Sequence, residues 1–173
     1  MEVRNKIWEE FKQAKANVVC IRRYNSVQRQ LNCIYQIFIA FCAAVGTFSF
    51  GFSERIPFFA LLSIAVVSLV KAIFPQIIQP EQELCELDGI MDYYNSFLNK
   101  MEVFFYQLDK EQKSDDEVMQ ELFVLKEDEC KKQSKMNKLI RWIPKRMQKK
   151  VDAEVQTYIE EVHYNIYKQN EQQ

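Results

Sequence analysis

LNCIYQIFIAFCAAVGTFSFGF, at residues 31–52, contains no charged side chain, and a second apolar run, IPFFALLSIAVVSLV, begins shortly after it at 56–70. A helix over the first run is about 33 Å long, enough to cross the hydrocarbon core of a bilayer. The Ser53–Arg55 connection is too short to cross anything, so the second helix must return antiparallel. We therefore predict a two-helix transmembrane hairpin at 31–78, with its second span at 56–78. A buried helix pair in a soluble bundle is the weaker alternative, because neither run shows a polar face.

The charges around the hairpin predict its orientation. Residues 1–30 carry seven Lys/Arg against three Glu, whereas the turn between the spans has only Arg55. By the positive-inside rule, a multi-pass protein of this pattern has both termini in the cytoplasm. We expect no secretory signal peptide, because residues 1–30 are polar and charged.

The chain outside the hairpin favours helix, because only 3 Gly and 4 Pro occur among 173 residues. Residues 1–30 are predicted to form an amphipathic cytoplasmic helix that runs unbroken into the first span. Its apolar stripe consists of Ile7, Phe11, Ala14, Val18 and Ile21. Pro75 is expected to kink the second helix, and Pro80 to end or restart it.

A long helix is predicted at 81–113, where apolar residues recur at alternating spacings of three and four. They are Leu84, Leu87, Met91, Tyr94, Leu98, Met101, Phe105 and Leu108. Bundle packing and a coiled coil both explain this pattern, and its large aromatic residues favour packing within one chain. Residues 114–173 are predicted to form the C-terminal cytoplasmic helices, one opened by a capping box at Ser114–Glu117 and the last beginning near Pro144. The fold class is therefore all-α, an integral membrane protein with a transmembrane hairpin and a cytoplasmic helical bundle.

One segment, 131–150, carries nine Lys/Arg and no acidic residue. Interleaved apolar residues, among them a tryptophan, are typical of a segment lying on anionic headgroups. A solvated face that neutralises the neighbouring acidic helices is the simpler alternative, and an anionic partner is a third. Nucleic acid is an unlikely partner, because no recognisable binding fold accompanies the charge. The candidate headgroup or anionic-partner contacts are Lys138, Arg141, Trp142, Lys145, Arg146, Lys149 and Lys150.

Catalytic chemistry is not indicated. Five cysteines at scattered spacings, with no CxxC pair, indicate reduced thiols rather than a disulfide framework. The one histidine, His163, has no neighbouring cysteine with which to form a metal site. The three glycines do not form a phosphate-binding loop. We predict no enzyme activity, no catalytic residue, no cofactor and no metal.

The polar residues of the apolar runs are the candidate functional residues there. Small and polar side chains recur along one face of the first span, at Gln36, Ala40, Ala43 and Thr47. This stripe suits either a close helix–helix contact or the lining of a pore. On the second span Ser68 and Lys71 share a face, and Lys71 either snorkels to the interface or faces an oligomeric lumen. Two helices cannot enclose a water-filled path, so conduction would require a homo-oligomer.

The order of these parts resembles a known family. An amphipathic helix with Trp8 and Arg22-Arg23 runs into a first span, and a short turn, a second span with Lys71 and a long cytoplasmic helix follow. This order is similar to that of the SLATT family, the SMODS- and SLOG-associating two-transmembrane effector domains of bacterial conflict systems. The resemblance covers most of the chain, is weakest after about residue 115, and rests on architecture rather than on an invariant motif.

The resemblance implies a membrane effector of antiphage defence. On a signal, often a nucleotide second messenger, such proteins are thought to assemble and permeabilise the bacterial inner membrane. No separate sensor domain is visible, so the signal would reach the cytoplasmic helices or a sensor protein. The competing hypothesis is a non-conducting membrane anchor, whose cytoplasmic helices recruit a partner.

Overall fold

The computed structural model describes the backbone of residues 2–48 and 56–170, and the side chains of 3–44, 64–74 and 77–161. Five helices occupy these ranges, and no strand occurs within them. The all-α prediction is confirmed. The helices are α1 (Glu2–Phe48), α2 (Ile56–Ile77), α3 (Glu81–Asp109), α4 (Asp115–Leu139) and α5 (Lys145–Asn170).

Helix α1 has 47 residues, so the prediction of one unbroken helix that continues into the first apolar run is confirmed. At 1.5 Å per residue it is about 70 Å long. Its two halves belong to different compact units, which divide between Tyr24 and Asn25. The first unit, here called the bundle, also contains the chain from Cys85 onward. The second, here called the hairpin unit, is Asn25–Leu84.

In the bundle, the N-terminal half of α1 contacts each of the other three helices. Arg4 pairs with Asp109 near the end of α3, and Lys126 of α4 pairs with Glu10. Glu154 of α5 accepts hydrogen bonds from Arg22 and Arg23. These contacts make α1 the helix around which the bundle is assembled.

Burial follows the predicted apolar stripe of α1, whose five residues are all 6% exposed or less. On α3 the heptad-like positions Leu84, Leu87, Tyr94, Leu98 and Met101 are buried, while the other three are half-buried. Three residues outside that pattern are buried as well: Ile90, Phe97 and Phe104. The buried face of α3 is therefore wider than a coiled-coil seam, as expected for a helix that packs against several neighbours.

In the hairpin unit, α1 and α2 lie antiparallel. The rings of Tyr35 and Phe74 stack with centroids 4.1 Å apart. Closer to the bundle end of α1, the backbone amide of Gln79 donates a hydrogen bond to Gln28 Oε1 at 3.4 Å. The side-chain amide of Asn25 donates a hydrogen bond to the backbone carbonyl of Leu84 at 3.1 Å. As the residue number on α1 rises from 25 to 28 to 35, the number of its partner falls from 84 to 79 to 74, which is the order of an antiparallel pair.

Within the described residues, no helix is both long enough and apolar enough to cross a bilayer. The predicted turn at Ser53–Arg55 and the side chains of 45–63, which include parts of both predicted spans, lie outside the described residues. The transmembrane spans stay a prediction.

The helix ends follow local signals. Ser114 and Glu117 form the predicted capping box, with the Ser114 amide donating to Glu117 Oε2 at 2.9 Å. Helix α3 ends at Asp109, earlier than the predicted residue 113, because Glu111 adopts a left-handed backbone conformation with φ of 52°. The amide of Gln112 then donates to the Gln107 carbonyl, which closes the helix end as in a Schellman motif.

Candidate functional site

The predicted small-and-polar stripe of α1 lies on an exposed face. Gln36, Ala40 and Ala43 are all exposed, while Thr47 lies outside the described side chains. At 100° per residue these three positions lie about 80° to 140° around α1 from Tyr35, which faces α2. Within one chain the stripe is therefore not the surface that packs α1 against α2. If it forms a helix–helix contact, the second helix must come from another molecule.

The two polar residues of the second apolar run are exposed as well. Ser68 and Lys71 both lie on the solvent-accessible surface of α2, next to half-buried Val67, Val70 and Phe74. Helical spacing places Val67, Val70 and Phe74 on one face, and Phe74 stacks on Tyr35 of α1. Lys71 therefore lies at the flank of the helix pair rather than between its helices.

Large apolar side chains surround these polar positions without being buried. On α1, Ile34, Ile37 and Phe41 are 63%, 64% and 67% exposed, and on α2, Ile64 and Leu69 are 62% and 61% exposed. In the bundle the corresponding stripe of α1 is buried almost completely. Contiguous exposed apolar surface of this kind marks a face that contacts lipid or protein.

The basic segment 131–150 spans two helices and the turn between them. Helix α4 ends at Leu139, residues 140–144 are not helical, and α5 begins at Lys145. The first part of the segment contacts its own bundle, since Lys131 pairs with Glu127 and Lys135 pairs with Glu86 at 3.2 and 3.0 Å. All seven predicted contact residues are exposed: Lys138, Arg141, Trp142, Lys145, Arg146, Lys149 and Lys150.

The bundle contains a buried polar cluster that was not predicted from the sequence. Glu129 of α4 is 3% exposed, and its carboxylate accepts a hydrogen bond from the Tyr94 hydroxyl of α3 at 3.0 Å. The same carboxylate pairs with Lys126 at 3.1 Å, and Lys126 reaches Glu10 of α1 at 2.7 Å. One ammonium group thus joins two carboxylates from different helices. The only sign of it in the sequence is the spacing of three between Lys126 and Glu129. Such pairs are common on solvent-exposed helices and do not indicate a buried cluster.

The cluster raises the pKa of two of its members. Burial raises the pKa of Tyr94 above its ordinary value of 10.0, and the charge of Glu129 and its hydrogen bond raise it further. For Lys126 burial opposes the charged form, but hydrogen bonds to Glu10 and Glu129 outweigh it and raise its pKa. Beside the cluster, burial and the charges of Asp128 and Glu129 raise the pKa of Tyr93 to about 12.

These shifts predict that the bundle loses stability at alkaline pH. Above pH 10.0, the ordinary tyrosine pKa, the unfolded chain gives up the Tyr94 proton while the folded chain keeps it. Unfolding therefore becomes more favourable as pH rises through that range, and the raised pKa of Lys126 acts in the same direction. We expect the melting temperature to fall between about pH 9 and pH 11.5, more gently in Tyr94→Phe. Equal slopes for the two proteins would contradict this role for Tyr94.

An apolar groove lies between α3 and α4 on the bundle surface. Its cavity volume is about 420 Å³, and Val103, Phe104, Val124 and Leu125 form most of its apolar lining. Lys100, Gln107 and Glu121 add polar groups. Four large side chains on these two helices are strongly exposed: Val103, Tyr106, Phe123 and Val124. The exposure of these four side chains was not predicted from the sequence, because the exposure of an apolar residue depends on which helices pack beside it.

The described part of the chain contains neither a metal-binding cluster nor a disulfide. No group of three or more His, Cys, Asp or Glu side chains is arranged to hold a metal ion there. The five cysteines, all within the described residues, form no disulfide. The His163 side chain lies outside the described residues.

Comparison with known proteins adds no relative. No family model matches the chain, and neither the curated proteins nor the solved structures provide a match.

Proposed function

We propose that this chain is a membrane effector of a bacterial antiphage system. In this proposal the hairpin unit inserts into the inner membrane, several copies assemble through it, and the assembly permeabilises the membrane on a signal. The support is of two kinds, the resemblance of the sequence to the SLATT family and the surface chemistry of the hairpin unit. The signal is a nucleotide messenger or a cytoplasmic sensor protein that acts on the bundle.

The observation that carries the proposal is the exposed apolar surface of the hairpin unit. Ile34, Ile37 and Phe41 lie along one side of α1 and are each more than 60% exposed. Burying a side chain of this size is worth about 1.5–3 kcal/mol, so leaving several of them in water is costly. Lipid acyl chains would cover them without any change in the chain's own packing.

Assembly is inferred from the polar side chains of the same unit. Gln36 is exposed on a face of α1 away from α2, and Lys71 is exposed at the flank of α2. In a bilayer, an amide or an ammonium group facing lipid is unfavourable, and both groups are better accommodated against another copy or in a water-filled lumen. A ring of copies would supply both surroundings.

A second candidate function is a non-conducting membrane anchor that recruits a protein partner. The groove between α3 and α4, with Val124 72% exposed at its edge, is the observation that favours it. An anchor would need the apolar surface of the hairpin unit but not its polar residues. The two functions therefore differ in what Gln36 and Lys71 contribute.

The test is the membrane potential of bacteria in which the chain is induced. An effector should depolarise the cells soon after induction, and a Gln36→Leu/Lys71→Leu variant at the same membrane level should not. The matched control, Phe38→Leu/Leu69→Ile, changes two apolar residues of the same helices and should depolarise like the unaltered chain. Inserted protein that leaves the potential intact, or a double variant as active as the unaltered chain, would favour the anchor.

A further inference from the structure

The turn between α4 and α5 forms a strongly basic surface, here called the basic corner and defined as 138–150. Five of its cations have no ion pair with another described residue, namely Lys138, Lys145, Arg146, Lys149 and Lys150. No acidic residue occurs between Glu129 and Asp152. The charge of these five residues is thus available to an external anionic group, unlike that of Lys131 and Lys135.

Contacts within the bundle show which of its ends carries the corner. Lys135, one turn before the corner on α4, pairs with Glu86 near the start of α3. Glu154, one turn after it on α5, pairs with Arg22 and Arg23. These partners lie within two residues of the places where the chain leaves the bundle, after Tyr24, and re-enters it, at Cys85. The basic corner is therefore at the bundle end that is covalently joined to the hairpin unit.

Trp142 gives the corner an apolar group in addition to its charge. It lies in the non-helical turn and is 72% exposed, whereas Trp8, the other tryptophan, is half-buried against Phe11 and Phe105. An indole ring has an apolar body and one hydrogen-bond donor, and it is favoured at the level of lipid headgroups. Cations around an exposed tryptophan are complementary to a bilayer surface, whose headgroups are anionic and whose interior is apolar.

We propose that the basic corner is a second membrane contact, which binds anionic phospholipid headgroups and holds this end of the bundle on the bilayer surface. The inference rests on the proposed insertion of the hairpin unit, because insertion brings the joined end of the bundle to the interface. The covalent connection gives the corner a high effective concentration of lipid, so weak individual contacts suffice. A soluble anionic macromolecule would have no such advantage.

The test follows the fluorescence of Trp142 in the full chain. Trp8→Phe keeps an aromatic ring between Phe11 and Phe105 and leaves Trp142 as the single tryptophan. This protein is reconstituted into phosphatidylcholine vesicles with or without phosphatidylglycerol, each with and without brominated acyl chains. We expect a blue-shifted emission and quenching by brominated lipid in the anionic vesicles, and a water-exposed emission in the neutral ones.

The charge requirement is tested by two matched double substitutions. Lys145→Gln/Arg146→Gln should weaken the contact about 25-fold, since each surface cation contributes about fivefold to binding an anionic bilayer. Lys100→Gln/Lys110→Gln removes the same charge from exposed positions of α3 and the turn after it, and should leave the quenching unchanged. Equal quenching in neutral and anionic vesicles, or equal losses in the two variants, would overturn the proposal.

Flotation of the vesicles after an alkaline carbonate wash separates this inference from the proposed function. Protein that is extracted by the wash has no inserted hairpin, which would overturn both. Protein that floats while Trp142 stays water-exposed on anionic vesicles would overturn only the headgroup contact, and the corner would then face a cytoplasmic partner.

Discussion

Replacing Lys126 by methionine is expected to lower the melting temperature of the full chain in detergent by about 10 °C, equivalent to roughly 3 kcal/mol. Lys126 bridges Glu10 and Glu129, and Glu129 is only 3% exposed. Methionine has a similar length, so packing is largely kept while the positive charge is removed. Glu129 then carries a buried charge that is no longer neutralised by Lys126, while the uncharged hydroxyl of Tyr94 still donates a hydrogen bond to it. Far-ultraviolet circular dichroism during heating measures the change.

A double substitution separates the charge from the packing. In Lys126→Met/Glu129→Gln, the glutamine side-chain oxygen still accepts the Tyr94 hydrogen bond but carries no charge. We expect this variant to recover at least half of the lost stability, because replacing both members of a buried pair costs far less than removing one. If the single and double variants melt together, the loss comes from packing and the cluster contributes little electrostatically.

Phe11→Ala is expected to be the most damaging truncation in the bundle, at about 4 kcal/mol of unfolding free energy. The Phe11 side chain is 1% exposed and lies between Trp8 and Tyr158, with ring centroids 5.7 and 6.1 Å away. Alanine leaves a cavity at the contact between α1 and α5. The measurement is again thermal unfolding in detergent. Limited proteolysis of the segments that connect the helices provides a second measurement.

Two substitutions serve as controls for Phe11→Ala. Phe11→Leu keeps most of the volume and should cost about 1 kcal/mol. Phe123→Ala removes a ring that is 60% exposed, so it should change the melting temperature by no more than about 2 °C. A loss in Phe123→Ala as large as in Phe11→Ala would mean that the exposed face of α4, where Lys6 of α1 lies over the Phe123 ring, holds the bundle together as much as the contact with α5 does.

Several parts of the fold were predictable because their signals are local. The stripe from Ile7 to Ile21 repeats at helical spacing, and all of it is buried. The capping box at Ser114 needs only the side chain and the amides within one turn. The end of α3 was placed too late because the left-handed conformation of Glu111 has no residue signature such as glycine.

The candidate sites were predictable only in composition. The charge of the basic corner is visible along the chain, but its place at the joined end of the bundle depends on Glu86 and Glu154, which are distant in sequence. The buried polar cluster around Lys126 was not predicted for the same reason, since Glu10 lies far from Lys126 along the chain. The groove between α3 and α4 likewise has no linear pattern.

By itself the sequence determined that the chain is helical, where most of its helices begin, and that a basic segment precedes the first of two apolar runs. These properties depend on residue type and on spacing within a few turns. Only the tertiary structure decided which faces are covered, that Gln36 and Lys71 stay exposed in a single chain, and which cations of 131–150 are already paired. Burial and pairing are decided by the helices that pack alongside, and these neighbours are far apart in the sequence.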